Sequence, residues 1–282
     1  MHETVGRSRY LTVAGYEIHV LDWGAPDAPA VVCWHGMSRT GRDFDGLARI
    51  LAQAGRRVVA PDTLGRGLSQ WARDPEREYR YPFYVELATA LVDALGLETL
   101  DFVGTSMGGT LGMLLAGGPL RGRVRHLVLN DIGPEVDPVG IRRIASYIGQ
   151  PPRFATMAEV VAYLKTAYRP FGLDDDEWWA MAEWSVRRTD SGAFTLHYDP
   201  RIAVHFAGSA RERLDLWAYY DAITAPTLLI RGETSDILSA TVARAMSERG
   251  PKAELVVVPG EGHAPSLNHP ERARLIQTFL AR

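Results

Sequence analysis

The 282-residue sequence predicts an α/β fold, a sheet covered by helices, with one block of helices inserted into it. Three observations carry that expectation. Short apolar runs alternate with longer amphipathic stretches through residues 1–134, the alternation stops over 135–220, and it resumes over 221–282.

The elements follow in order. Tyr10-Leu11-Thr12-Val13 and the run from Tyr16 to Leu21 flank Ala14-Gly15 and read as a hairpin. Ala30-Val31-Val32-Cys33-Trp34 is continuously apolar, as a strand buried on both faces must be. Phe44, Leu47, Leu51 and Ala54 recur at helical spacing, so 44–54 is a helix. Arg57-Val58-Val59-Ala60 is a strand stopped at Pro61, and 84–95 is a helix ended by Gly96. The strand Leu100-Asp101-Phe102-Val103 precedes a helix over 107–116. The strand His126-Leu127-Val128-Leu129 then runs into Asn130-Asp131. Residues 135–220 are helix-like and rich in large aromatics, among them Tyr147, Phe171, Trp178, Trp179, Trp184 and Trp217, with no strand of their own. Thr227-Leu228-Leu229-Ile230, a helix over 240–249, Leu255-Val256-Val257-Val258 and a helix from Pro270 complete the pattern. The expected organisation is a core of 1–134 and 221–282 carrying a helical cap, or lid, at 135–220.

Composition narrows the function classes. Hydrophobic residues make up 46% and charged residues 23%, enough apolar material for a core and too little charge for disorder. With 31 basic against 34 acidic residues the net charge is −3, which gives no electrostatic footprint for nucleic acid or an anionic membrane. No apolar run approaches the roughly 20 residues that span a bilayer, and the first residues lack the apolar core of a secretory signal. Cys33, the single cysteine, excludes an intramolecular disulfide and a cysteine-based zinc site. A soluble, cytoplasmic protein is expected.

Chemistry concentrates at strand ends. Gly104-Thr105-Ser106-Met107-Gly108-Gly109 joins a strand to a helix, a sharp turn that exposes the Ser106 hydroxyl above the sheet. The Met107 N–H, at the helix start, faces the position of an oxyanion. His263 lies in a loop just past the last strand, where a neutral imidazole takes the serine proton and returns it to the leaving group. A carboxylate must orient that imidazole. Asp131, Glu233 and Asp236 each lie just beyond a strand, and the chain order serine, acid, histidine favours Asp236. His35-Gly36-Met37 follows another strand; Gly36 permits a tight backbone that aims the Met37 N–H inward, and His35 reads as a hydrogen-bonding residue of that loop.

Taken together, His35-Gly36, the loop Ala60-Pro61-Asp62-Thr63-Leu64-Gly65-Arg66-Gly67-Leu68-Ser69, Gly104 to Gly109, Asp236 and Gly262-His263 resemble the α/β-hydrolase superfamily. The resemblance covers nearly the whole chain apart from the lid. It implies an eight-stranded, mostly parallel sheet with the cap inserted after the sixth strand. It also implies Ser106 as nucleophile, His263 as base, Asp236 as acid, the Met37 and Met107 N–H groups as oxyanion hole, and neither cofactor nor metal. Ser106 excludes the branches that use an aspartate nucleophile. The expected activity is cleavage of a carboxylic ester, thioester or lactone of a small apolar or aromatic substrate through an acyl-enzyme, with His35, Gly36, Trp179 and Trp184 as substrate-binding candidates. The elbow is also similar to that of carbon–carbon hydrolases of ring-cleavage products. Those place an aromatic residue after the histidine, where this chain has Ala264, and a cap arginine on a substrate carboxylate, for which Arg142, Arg143, Arg169, Arg187 and Arg188 compete. A ligand receptor of the same fold is the third reading. The intact serine, histidine and acid count against it. The expected partner is a small ester-like molecule, and the oligomeric state is left open.

Overall fold

The computed structural model describes residues 5–168, 173–206 and 215–282. Arg169 and Phe171, both singled out above, lie outside the described residues. β1 (Arg7–Val13) and β2 (Tyr16–Trp23) pair antiparallel about Ala14 and Gly15. Both turn residues have positive φ, 48° and 79°, the backbone that lets a two-residue turn follow the strand twist. There follow β3 (Ala30–Trp34), α1 (Asp45–Gln53), β4 (Arg57–Pro61), α2 (Pro75–Glu78), α3 (Tyr81–Ala94), β5 (Leu100–Thr105), α4 (Met107–Ala116) and β6 (Val124–Asn130). The insertion holds α5 (Pro138–Ala145), β7 (Arg153–Phe154), α6 (Met157–Ala167), α7 (Asp175–Ser185), β8 (Val186–Arg188) and β9 (Phe194–Leu196). The chain returns through α8 (Trp217–Ala222) to β10 (Thr227–Gly232), α9 (Ala240–Glu248), β11 (Glu254–Val258) and α10 (Pro270–Phe279).

The main sheet has eight strands in the order β1-β2-β4-β3-β5-β6-β10-β11. Every pairing from β4 to β11 is parallel, and β2 alone runs against its neighbours. Successive strand residues point to opposite faces, so a strand covered on both sides is apolar at nearly every position, with a buried polar residue paired, as His126 is to Asp101 at 2.8 Å. Val32, Trp34, Phe102, Leu127 and Leu129 accordingly join one core with Leu87 of α3 and Leu111 of α4. Their neighbours Val31, Cys33, Val103 and Val128 join a second core with Leu47 of α1 and Ile276 of α10. Each such side chain withdrawn from water contributes roughly 1.5–3 kcal/mol, which fixes the strand ends where the chemistry sits.

The insertion departs from the sequence expectation. It carries a three-stranded antiparallel sheet in the order β7-β9-β8, where only helices were expected. Strands of two and three residues are too short to leave a period in the sequence. α8 also crosses the expected junction at 220/221 and packs on α4. Gly117 makes room for it, since a Cβ there would run into the Tyr219 carbonyl oxygen. The β4–α2 loop pairs with the insertion through Asp199 N–H to Gly65 O (2.7 Å) and Gly67 N–H to His197 O (2.9 Å), with Arg66 opposite Tyr198. Among the described residues no helix is long and apolar enough to cross a membrane.

Candidate active site

Ser106 occupies the turn between β5 and α4 with φ 53° and ψ −117°, a left-handed backbone that non-glycine residues rarely adopt. The flanking glycines explain how the turn closes. A Cβ on Gly104 would strike the Gly108 carbonyl oxygen, and one on Gly108 would strike that of Trp34. The Ser106 N–H donates to the Asn130 carbonyl (3.0 Å), which ties the elbow to the end of β6. Although Ser106 stands at the helix N-cap, its hydroxyl makes no capping bond. It meets His263 instead, at 2.9 Å from Nε2.

The carboxylate on the other side of His263 is Asp131, with Oδ2 2.7 Å from Nδ1. This corrects the choice of Asp236. Asp131 is fully buried and immediately follows β6, the strand beside the one that presents Ser106. Its φ is 55°, a backbone that non-glycine residues rarely adopt. Three donors hold it: Gly232 N–H to Oδ1 (2.9 Å), and the Ser235 hydroxyl (2.5 Å) and His263 Nδ1–H to Oδ2. The Ser235 oxygen accepts N–H bonds from Ile237 and Leu238, which leaves its proton committed to Asp131. An ionised carboxylate only accepts, so the His263 proton sits on Nδ1 and the Nε2 lone pair faces Ser106.

Asp236 takes a different partner. Its two oxygens accept from Arg143 Nε (2.5 Å) and Nη2 (2.9 Å) of α5. That bond, more than anything else, holds its carboxyl below the usual range, against a partial burial that pushes it up. Glu233, the third candidate, accepts from Gly260 N–H (2.8 Å) and fastens the loop that leads to His263.

The remaining expected residues separate clearly. Gly36 and Met37 line the cavity above Ser106, and a Cβ on Gly36 would lie 3.8 Å from the Ser106 Cβ. Met107 opens α4, so its N–H has no intrahelical acceptor. His35 does not reach the cavity. It is fully buried, with Nε2 accepting from Thr63 N–H (2.9 Å) and Nδ1 bonded to the Gly36 carbonyl (2.7 Å). Burial lowers its pKa to about 4, so it is a neutral staple between two loops. Trp179 is also corrected. Both Trp179 and Trp184 are 45% exposed, but only Trp184 is in the cavity lining, with the Arg42 guanidinium 4.1 Å over its ring. The cavity-facing residues of α7 are Glu177, Ala180, Met181 and Trp184. Their spacing of three, four and seven is the helical signal that separates them from Trp179.

The cavity measures about 200 Å³ and has Ser106 and His263 on its floor. Ile144 and Met181 give it apolar walls, and Arg42, Arg143 and Glu177 give it charge. Among the described residues no group of three His, Cys, Asp or Glu is placed to hold a metal ion. The arrangement can move one proton from a serine hydroxyl to an imidazole backed by a buried carboxylate.

This geometry and topology define a hydrolase of the α/β class, and comparison with known proteins agrees. The family model for the alpha/beta hydrolase fold matches residues 29–270, and the chain belongs to that family. A 3-hydroxybutyrate-oligomer hydrolase from Cupriavidus necator is 42% identical over 269 residues, 92% of this chain and 91% of that protein. A 2-hydroxymuconate semialdehyde hydrolase from Pseudomonas putida is 28% identical over 97% of this chain and 94% of its own length. The crystal structure of an alpha/beta hydrolase from Novosphingobium aromaticivorans superposes with a TM-score of 0.89 at 38% identity, covering 99% of each chain.

Proposed function

We propose that this protein hydrolyses short oligoesters of 3-hydroxy acids through an acyl-enzyme on Ser106. It is a carboxylic-ester hydrolase of the α/β-hydrolase class. The observation that carries the mechanism is the relay Ser106–His263–Asp131, at 2.9 and 2.7 Å, on the floor of a cavity. Ser106 Oγ attacks the ester carbonyl while its proton passes to His263 Nε2. Asp131 stabilises the imidazolium and holds its tautomer. The Met37 and Met107 N–H groups receive the negative charge on the carbonyl oxygen. The intermediate collapses, His263 returns the proton to the departing alcohol, and a water repeats the sequence to free the acid.

The substrate class rests on two supports. The relative that hydrolyses 3-hydroxybutyrate oligomers aligns along nine-tenths of both chains. The cavity also sets charged groups beside apolar ones, which suits a methyl-branched ester ending in a hydroxyl and a carboxylate. Of the three tryptophans of α7, Trp178 is buried in packing and Trp179 is not in the lining, which leaves Trp184, with Tyr147 and Tyr168, as the rings that an aromatic substrate would meet.

The test combines turnover with labelling. Incubation with the 3-hydroxybutyrate trimer should release dimer and monomer. p-Nitrophenyl butyrate should give a burst equal to the enzyme concentration, and a fluorophosphonate should label Ser106. An untouched trimer alongside rapid cleavage of a vinylogous diketone would replace this reading with carbon–carbon hydrolysis.

A further inference from the structure

Arg66 is fully buried, which for a cation demands an explanation. The loop that carries it is built around glycines: a Cβ on Gly65 would meet the Tyr79 hydroxyl, and one on Gly67 would meet the Asp62 carboxylate. This packing sends the guanidinium inward, beneath the loop that holds Met37. A guanidinium has five N–H donors, and five acceptors surround it. Nε donates to the Met37 carbonyl (2.8 Å). Nη1 donates to the Leu64 carbonyl (2.7 Å) and the Tyr84 hydroxyl (2.8 Å). Nη2 faces the sulfurs of Met37 (3.2 Å) and Met107 (3.7 Å). The rings of Tyr79 and Tyr84 lie 5.4 Å from its central carbon. None of these partners carries a charge.

A residue that only filled space there would be better apolar, because a buried ion with no carboxylate among its direct partners is costly, and the buried Asp199 is reached only through the Tyr79 hydroxyl (2.6 Å). What the charge gains is position. Three of its five contacts fall on Met37 and Met107, the two residues whose amides serve as oxyanion donors in the reading above. We propose that Arg66 is the positioning residue of the oxyanion hole. It pins the Met37 carbonyl and side chain, and so holds the residue whose N–H, in the adjoining Gly36–Met37 peptide, faces the reacting carbonyl; it also places a fixed positive charge behind the oxygen that becomes negative. In a site screened from water such a charge acts more strongly on the transition state than on the neutral ester. The inference rests on the acyl-enzyme reading, and wild-type turnover of the same ester tests that reading separately.

The experiment measures kcat and KM for p-nitrophenyl butyrate in wild type, Arg66→Met and Arg66→Lys. A trifluoromethyl ketone, which forms a tetrahedral oxyanion adduct with the serine, is titrated against each. Losing one oxyanion donor typically costs 10²- to 10³-fold in kcat. Arg66→Met should therefore lose about that much in kcat with KM within about threefold, and the ketone should weaken in parallel. Arg66→Lys should recover about tenfold of the loss. A folded Arg66→Met with wild-type kcat would overturn the proposal, as would a raised KM with unchanged ketone affinity. If Arg66→Met does not fold, Arg66→Lys decides alone. It should show a kcat loss of about tenfold or more with unchanged KM, and wild-type kcat would overturn the proposal. A wild type that neither turns over the ester nor binds the ketone would instead refute the parent reading.

Discussion

The turn after β6 and the turn after β10 lie side by side at one edge of the sheet, and each carries an aspartate. Asp131 is fully buried and held by three donors from the backbone, a serine and His263. The Asp236 side chain is 33% exposed and bound to one arginine from the insertion. Both are carboxylates, both follow strands, and both come between Ser106 and His263 in the chain. The difference lies in what fixes them. An acid that must hold one imidazole tautomer needs a buried position defined by several donors. A carboxylate that fastens a helix of the insertion needs only a complementary fork.

The comparison breaks most decisively at the two aspartates themselves. Asp131→Asn should lower kcat by about 10⁴-fold, because an amide can donate to Nδ1 and trap the wrong tautomer. Asp236→Asn should stay within about fivefold. Steady-state turnover of one ester by both variants settles it, and the reverse ranking would restore Asp236 as the acid. A smaller effect sharpens the role of the donors. Ser235→Ala removes one hydrogen bond to Asp131, and about 1 kcal/mol should appear as a roughly fivefold loss in kcat with KM unchanged. A change confined to KM would mean that Ser235 shapes the cavity instead.

The smallest effect concerns stability. Arg143 and Asp236 are both about a third exposed, so solvent screening leaves their pair at most about 1 kcal/mol. The Asp236 pKa is lowered on folding, so this stabilisation is present above the ordinary aspartate range and is lost as pH falls through the lowered value. Chemical denaturation should find Asp236→Asn slightly less stable than wild type at pH 7, with the gap closing below about pH 4. A gap that widens on acidification would refute the assignment of the pair.

Much of this was legible in the sequence. Short apolar runs such as Ala30 to Trp34, bounded by turn residues, read as strands covered on both faces; β3 and β10 lie on such runs, and β5 and β6 on runs interrupted by Asp101 and by Arg125 and His126. The elbow was legible for a related reason: glycines at 104 and 108 around a serine describe a turn that tolerates no Cβ at either position. The insertion was read less well. Its three short strands hold too few residues to show a period, and the distinction between Trp179 and Trp184 depended on which face of α7 meets the cavity.

The sequence by itself determined the class of fold, the place of Ser106 at a strand–helix turn and the place of His263 past the last strand. These follow from local patterns, because burial and backbone geometry constrain residue type position by position. Only the tertiary structure decided between Asp131 and Asp236, and only it brought Arg66 beneath Met37 and Met107. Chain order does not favour Asp236 as expected, because both aspartates lie between Ser106 and His263. The choice depends on which carboxylate the neighbouring loops surround with donors, and that is a property of strands packed side by side rather than of residues adjacent in sequence.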